Sequence, residues 1–367
     1  MPAAGYSQSV RWGNEQTYGK ATTTNRDLGA VQSISPGEKN NLIKIRTLGG
    51  NRDYKTVIPG KFEISGSMEY YFQGGDFLRQ GIGEDTATTA TVDSGPRILS
   101  AGGAGIYLHV LGSANSPGVS SYPSFTLEFT DYEDAGTAAN TKNLQRTYSG
   151  CRVNTLTMSA AVDEPLKAAV DWLSKRVVVS TGAAASITEY TQDPYVFYEG
   201  FVVMTSGVPT AGTPQANLRD SLLCQVLNFD LSINNNCEAG WYIAGTCGTW
   251  DSARAAKFII PKGRDYELRM GLHYNNKLMY SRFLGSNTAT TDSATMNKYQ
   301  IVLDFVRTGT PGTISAGLEY IRMIAASATF DDIAINGAPE DIVNNDVTVF
   351  MKNVKFYVVD GTSDYSS

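Results

Sequence analysis

Residues 57–83 read "VIPGKFEISGSMEYYFQGGDFLRQGIG" and residues 259–285 read "IIPKGRDYELRMGLHYNNKLMYSRFLG". Pro59 and Pro261 stand 202 positions apart, as do Gly83 and Gly285, with no gap between them. Met68 falls on Met270 and Phe72 on Tyr274, while Phe77, Leu78 and Ile82 fall on Met279, Tyr280 and Leu284. In the first copy Phe62, Ile64, Met68 and Tyr70 alternate with Glu63, Ser65, Ser67 and Glu69, the period of a half-buried antiparallel strand. In the second copy Tyr266, Leu268, Met270 and Leu272 alternate with Asp265, Glu267, Arg269 and His273. Each strand is followed by a short helical pattern, "GGDFLRQGIG" or "NKLMYSRFLG", closed by a glycine suited to a helix C-terminal cap.

Other landmarks keep the same order. "SFTLEFTD" corresponds to "YQIVLDFV", and "LKAAVDWLSKRVVV" to "VTVFMKNVKFYVV". A shared order of strand, helix and strand at one spacing predicts an internal duplication. Further strands are expected in "GIYLHVL", "RVNTLTMSA", "YVFYEGFVVM", "LLCQVLNFDLSINNN" and "ATFDDIAI". Between them lie loops rich in Thr, Ser, Gly and Pro, such as "GEDTATTATVDSG" and "GSANSPGVSSYP". The expected organisation is an N-terminal arm (1–26), a first domain (27–204), a linker (205–220) and a second domain (221–367). The linker stretch "TSGVPTAGTPQANLRD" has two Pro, two Gly and little that is apolar.

The chain has 367 residues, 42% hydrophobic and 10% aromatic, enough to bury substantial cores. Its net charge of −6 argues against sequence-independent nucleic-acid binding, which needs many Lys and Arg contacts to phosphate. The opening "MPAAGYSQSVRWGNEQTYG" lacks the apolar core of a secretory signal, and no apolar run approaches the ~18 residues of a membrane helix. Of the cysteines, Cys151, Cys224, Cys237 and Cys247, no two form CxxC, and zinc is not expected. Cys237 and Cys247 are close enough in sequence to pair, although buried free thiols are the simpler reading.

No catalytic constellation stands out. His109 and His273 both sit inside strand patterns, where a structural role is expected over a Ser-His-Asp one. "SAGGAGIY" precedes a strand and reads as a turn, because a phosphate loop needs a helix start behind it. Asp131, Glu133 and Asp134, and Asp331, Asp332, Glu340, Asp341 and Asp346, form acidic clusters without EF-hand spacing, and solvated rims are expected there rather than calcium sites. Tyr70, Tyr71 and Phe72 are expected to pack a sheet rather than form a sugar platform. The chain offers two similar β units with long alternating strands, and strands have edges that need partners.

Several stretches carry a resemblance. "RWGNEQTYGKATTTNRDLGAVQSIS" and "LGGNRDYKTVIPGKFEISGSMEYYF" resemble the opening of the tail tube (major tail) proteins of tailed viruses, bacteriophage or archaeal. "YSGCRVNTLTMSAAVDEPLKAAVDW" resembles that family's middle segment, and "VLNFDLSINNNCEAGWYIAG" the start of its second half, so the likeness spans residues 11–285. The resemblance implies a mainly β fold of two tandem β-sandwich or barrel domains, each flanked by a short α-helix. It implies a structural protein, not an enzyme, with no cofactor and no metal. Six tube domains would form a ring, so three two-domain chains would give a pseudo-hexameric ring, and stacked rings a hollow tube for double-stranded DNA.

The partners so implied are further copies of the chain, a tail-tip or baseplate initiator, a tail terminator, a tape-measure protein and, as an optional addition, a sheath. The place so implied is the virion tail, assembled in the host cytoplasm. On this reading Glu63, Ser65, Ser67, Glu69, Asp265 and Glu267 are candidates for the lumen wall, where acidic and small polar groups repel phosphate; the alternative is that they face solvent. Leu42, Ile43 and Ile45, in the otherwise polar loop 36–56, are candidates for stacking between rings. The arm is expected to order on assembly. A decoration or adhesion protein, or one that binds or cleaves glycans, stays open beside the tube reading.

Overall fold

In the computed structural model the described residues are 8–48, 52–83, 85–88, 107–112, 122–131, 143–181, 190, 192–206, 223, 225–242, 254–307, 319–337, 342–360 and 365. The first half of the chain supplies β1 (Gln8–Asn14), β2 (Ala30–Lys39), β3 (Ile43–Ile45), β4 (Thr56–Ile58), β5 (Glu63–Tyr71), α1 (Leu78–Ile82), β6 (Asp85–Thr88), β7 (Tyr107–Leu111), β8 (Phe125–Asp131), β9 (Leu144–Ala161), β10 (Lys167–Ser174), β11 (Arg176–Ser180) and β12 (Gly200–Ser206). The second half supplies β13 (Val226–Asn234), β14 (Glu238–Gly240), β15 (Phe258–Ile260), β16 (Asp265–His273), α2 (Leu278–Phe283), β17 (Tyr299–Val306), β18 (Tyr320–Asn336) and β19 (Asn344–Asp360). The fold is mainly β, as the alternation predicts.

The repeat is visible in the strand bounds. β4 and β15, and β5 and β16, begin and end 202 residues apart. Gly83 (φ 79°) and Gly285 (φ 129°) both close their helices in the left-handed region, where glycine carries no Cβ penalty. The amide of Gly83 donates to the Arg79 carbonyl at 2.7 Å.

The helices differ in burial. Phe77, Leu78 and Ile82 are buried as expected, with Phe77 edge-on to Trp12 (5.0 Å between centroids) and Phe125 (5.3 Å). The second copy departs from its expected apolar set: Tyr280 is exposed, Met279 only partly buried, and the buried residues are Ser281 and Arg282. The reason is a shift in phase, because α2 starts two residues before the position that an offset of 202 from Leu78 would give.

Each half is a two-layer sandwich built on long strands that serve both layers. Residues 152–161 of β9 pair with β10 and β13, and its first residues pair with β8 and β11. Gly150 (φ 67°) marks the change of layer, and its amide donates to Glu15 at 2.7 Å. Glu15 also accepts from Gly19 N–H, Ser124 Oγ and Thr126 Oγ1, so one carboxylate ties the corner to the turn after β1 and to the start of β8. In the second half, β18 and β19 pair along nearly their whole length, and Asn353 (φ 55°) interrupts the ladder.

The layers exchange strands between halves. β7 pairs with β19, and β12 pairs with β17, although β7 falls within the 27–204 segment and β12 begins in it and ends two residues beyond it. From residue 207 the expected linker lies outside the described residues. The expected arm is part of the fold from Gln8 onward: β1 pairs with β8 and carries the fully buried Trp12, whose indole N–H donates to the Asp27 carbonyl at 2.8 Å. One apolar core runs through both halves, from Trp12, Trp172 and Phe125 to Leu268, Phe330 and Val349.

Packing is tight where β5 meets β10. Gly66 lies directly opposite Trp172, and a Cβ on it would stand 2.3 Å from the indole ring. Gly66→Ala is therefore expected to cost about 1–3 kcal/mol through overpacking. Gly263→Ala, where a Cβ meets nothing within 4 Å, is expected to stay within about 0.5 kcal/mol of wild type. Thermal unfolding of the two variants beside the parent checks the pair, and equal midpoints would contradict it.

Candidate functional site

The main sheet contains the run β2-β5-β10-β9-β13-β16-β19-β18, antiparallel at every step. Side chains on one of its faces enter the core; those on the other are mainly polar, with Ala169 and Phe350 among them. The registers place the polar ones in rows. One row runs Ser33, Glu69, Ala169, Thr157, Ser232, Glu267, Phe350. The next runs Ser35, Ser67, Asp171, Thr155, Asn234, Asp265. A third runs Lys167, Ser159, Asp230, Arg269, Thr348.

The six lumen candidates thus share one face, which continues from one half of the chain into the other across the β9–β13 ladder. The sequence reading missed the central strands of that face. Thr155, Thr157, Ser159, Asp230, Ser232 and Asn234 alternate with buried Leu156, Met158, Leu231 and Ile233, a period-two signal that was there to find.

The face is mostly Ser, Thr and Asn with carboxylates among them, and two of its cations, Lys167 and Arg269, are paired. Lys167 Nζ lies 2.7 Å from Glu69, and Arg269 Nε 2.6 Å from Glu267. Glu63 sits at one end of the face, paired with Lys61 and accepting from Asn41 at 2.9 Å. The Lys61 hydrogen bond holds its carboxyl below the usual range. Ser65 and Ser67 are exposed, and Asp265 accepts from Asn236 at 2.9 Å. Asp230 lies in a shallow polar hollow with Thr157, Ser232, Glu267 and Arg269, where partial burial pushes its carboxyl up against the opposing pull of Arg269. Arg269 is exposed on this face; His273 is half-buried, with Nδ1 3.0 Å from Asn344 Oδ1.

A second candidate surface lies at one end of the sheet. Ile43 and Ile45 are not in a loop, since β3 and β4 form a hairpin; Leu42 lies in the short connection between the end of β2 at Lys39 and the start of β3. Leu42 and Ile43 are each 54% exposed, and Leu48, Tyr54, Val57 and Ile58 are exposed beside them. The last four were missed because they flank the charged turn. The hairpin's base is clasped by the second half: Arg254 Nε donates to the Gly60 carbonyl at 2.7 Å, and Lys61 lies 4.6 Å over the Trp241 ring.

The remaining chemical candidates are structural in placement. His109 is buried, stacked on Tyr365 at 3.6 Å and 3.8 Å from Asp360. Asp131 pairs with Arg146 at 3.0 Å, and Asp346 accepts from Asn336 at 2.6 Å. Glu133, Asp134, Glu340, Asp341, Cys224 and Cys247 lie outside the described residues. Cys237 is half-buried, and burial raises its thiol to about 11. Among the described residues no group of three or more His, Cys, Asp or Glu is placed to hold a metal, and no helix is long and apolar enough to cross a membrane.

Open sheet edges and a projecting apolar hairpin are features of a structural β protein that associates with itself. A family profile described as phage tail tube protein matches residues 5–349, and the chain belongs to that family. It is accordingly a structural component of the virion tail that assembles into a tube. No curated protein matches the chain.

The raised Asp230 carboxyl has a consequence for stability. A carboxyl whose folded-state value exceeds its unfolded one costs stability as pH rises through that interval. Asp230→Asn is therefore expected to raise the unfolding midpoint at pH 7 slightly, with the gain disappearing below the ordinary carboxylate range. A pH series of thermal melts reads this, and a gain that grows on acidification would contradict it.

Proposed function

We propose that the chain forms rings of three copies that stack into the tail tube, with the polar sheet face lining the bore. The observation that carries this reading is the continuity of that face across both halves. Each chain then supplies two adjacent ring positions without a break in the wall. Edges support it as well. Among the described residues β2 pairs only with β5, and the Asp332–Asn336 part of β18 only with β19. These two edge strands run in opposite directions, so joining the β2 of one chain to the β18 of the next continues the antiparallel alternation and closes a barrel.

Glu63, Ser65, Ser67, Glu69, Asp265 and Glu267 would then face passing double-stranded DNA. A wall rich in Ser, Thr, Asn and carboxylates gives phosphate few cations to bind, and at physiological salt the repulsion acts over about 8 Å. The remaining proposed partners are the tail-tip or baseplate initiator, the terminator and the tape-measure protein, with assembly in the host cytoplasm.

Negative-stain microscopy of the purified protein tests the assembly, with the initiator added if tubes do not form spontaneously. Tubes of uniform bore are expected; a chain that stays monomeric with the initiator present sinks the reading. The wall has its own test. Asp171→Lys combined with Glu267→Lys is expected to leave the tube intact but make it retain DNA, with retention falling steeply as salt rises. Unchanged ejection from virions carrying this variant would place the face elsewhere.

A further inference from the structure

The sheet registers give the molecule two chemically matched ends. The hairpin β3–β4 leaves β2 and β5 where Lys39 pairs with Glu63. β14 and β15 leave β13 and β16 at the same end, where Asn234 pairs with Asp265. β5 and β9 run parallel through β10, since Ser67 pairs with Asp171 and Asp171 with Thr155. The far end of β9, at Ala160–Val162, is therefore the end of the sheet opposite both hairpins.

An apolar pocket of about 270 Å³ opens at that far end. It is lined by Ala161, Val162, Phe197, Phe201, Val226 and Phe305, among others. For scale, a dry cavity of about 150 Å³ takes up a benzene ring. Its margin is acidic: Asp163 and Glu164 follow Val162 in an exposed turn, and Glu199 lies two residues from Phe197. The nearby cations Lys167 and Arg307 are engaged by Glu69 and Glu319.

The hairpin has the complementary character. Leu42, Ile43, Ile45, Val57 and Ile58 are exposed on a two-stranded ribbon that pairs with no other strand among the described residues. Lys44, Arg46, Arg52 and Lys55 surround them, against a single Asp53. An exposed apolar ribbon with a basic fringe at one end fits an apolar pocket with an acidic rim at the other.

We propose that the β3–β4 hairpin of one copy seats its apolar side chains in the pocket beside Val162 and Phe197 of a copy in the adjacent ring. The contact is head to tail, so it does not close on itself and propagates along the sheet-strand direction. The inference rests on the stacked-ring reading and adds to it the receiving site and its chemistry. Apolar burial holds the ribbon, and the opposed charges fix its approach.

Cross-linking within assembled tubes tests it. The Ile43→Cys/Val162→Cys double variant, treated with a short bismaleimide, is expected to give a ladder of covalently joined chains on a denaturing gel. Wild type and each single variant should give none beyond the background of the native cysteines. Both positions are exposed, so neither substitution is expected to impair folding. Tubes of normal length in which the double variant gives no ladder overturn the proposal and leave the tube reading standing.

A charge swap gives a second reading. Lys44→Glu alone and Glu164→Lys alone are each expected to raise the protein concentration needed for assembly about tenfold, and the two together to restore it. Single variants that assemble like wild type overturn the pairing. Wild-type protein that never stacks would overturn the tube reading itself, and this inference with it.

Discussion

The structure depends on the ladder between β9 and β13. Its register runs from Asn228 opposite Ala161 to Asn234 opposite Thr155, and it makes one sheet of the two halves. A slip of one residue would turn Leu231 and Ile233 to the outer face and Asp230 and Ser232 into the core. That exchange is costly, since Leu231 and Ile233 are fully buried and an unpaired carboxylate in the core carries a large desolvation penalty. The hydrophobic pattern thus fixes the register, and the register fixes which side chains form the outer wall.

The rest of the fold keeps the joint from hinging. β7 and β12 each leave their own half to pair with strands of the other, so three separate pairings cross the division. The C-terminal region adds a polar clasp. Tyr365 stacks on His109, donates its hydroxyl to Asp360, and accepts at its carbonyl from Asn14 at 2.6 Å. His109 therefore binds strand β7 to the tail end of the chain instead of serving as a base. Nearby, Asp76 is held between Arg26 and Tyr190, with burial pushing its carboxyl up. Two units tied at so many points suit the proposed placing of one chain at two ring positions.

Much of this was legible in the sequence because it is written locally. The 202-residue offset between the copies recurs in the bounds of β4 and β15 and of β5 and β16, since alternation and a closing glycine are short-range signals. What was not legible depends on distant partners. "KAAVDWLSKRVVV" reads as one strand but breaks at Lys175, because β10 and β11 follow different parts of β9 into different layers. Strand exchange by β7 and β12 leaves no local period at all. In α2 the apolar positions of the repeat were carried over, but the helix begins earlier and turns Ser281 and Arg282 inward. The hairpin reads as a polar loop because Lys44, Arg46, Arg52 and Asp53 mask the alternation that its exposed apolar residues share with a strand. The lumen candidates were found on β5 and β16 but not on the strands between them, where Thr and Ser carry less contrast than Glu.

The central claim is that one unbroken polar face, spanning both halves of each chain, forms the inner wall of the tube. The measurement that tests it most directly is an electron cryo-microscopy map of the assembled tube at a resolution that separates strands. The account predicts three chains per ring, six similar densities around the bore, and Ser67, Asp171, Thr155 and Asp265 pointing into it. Six chains per ring with only one half of each at the bore, or the polar face on the outside of the tube, would contradict it.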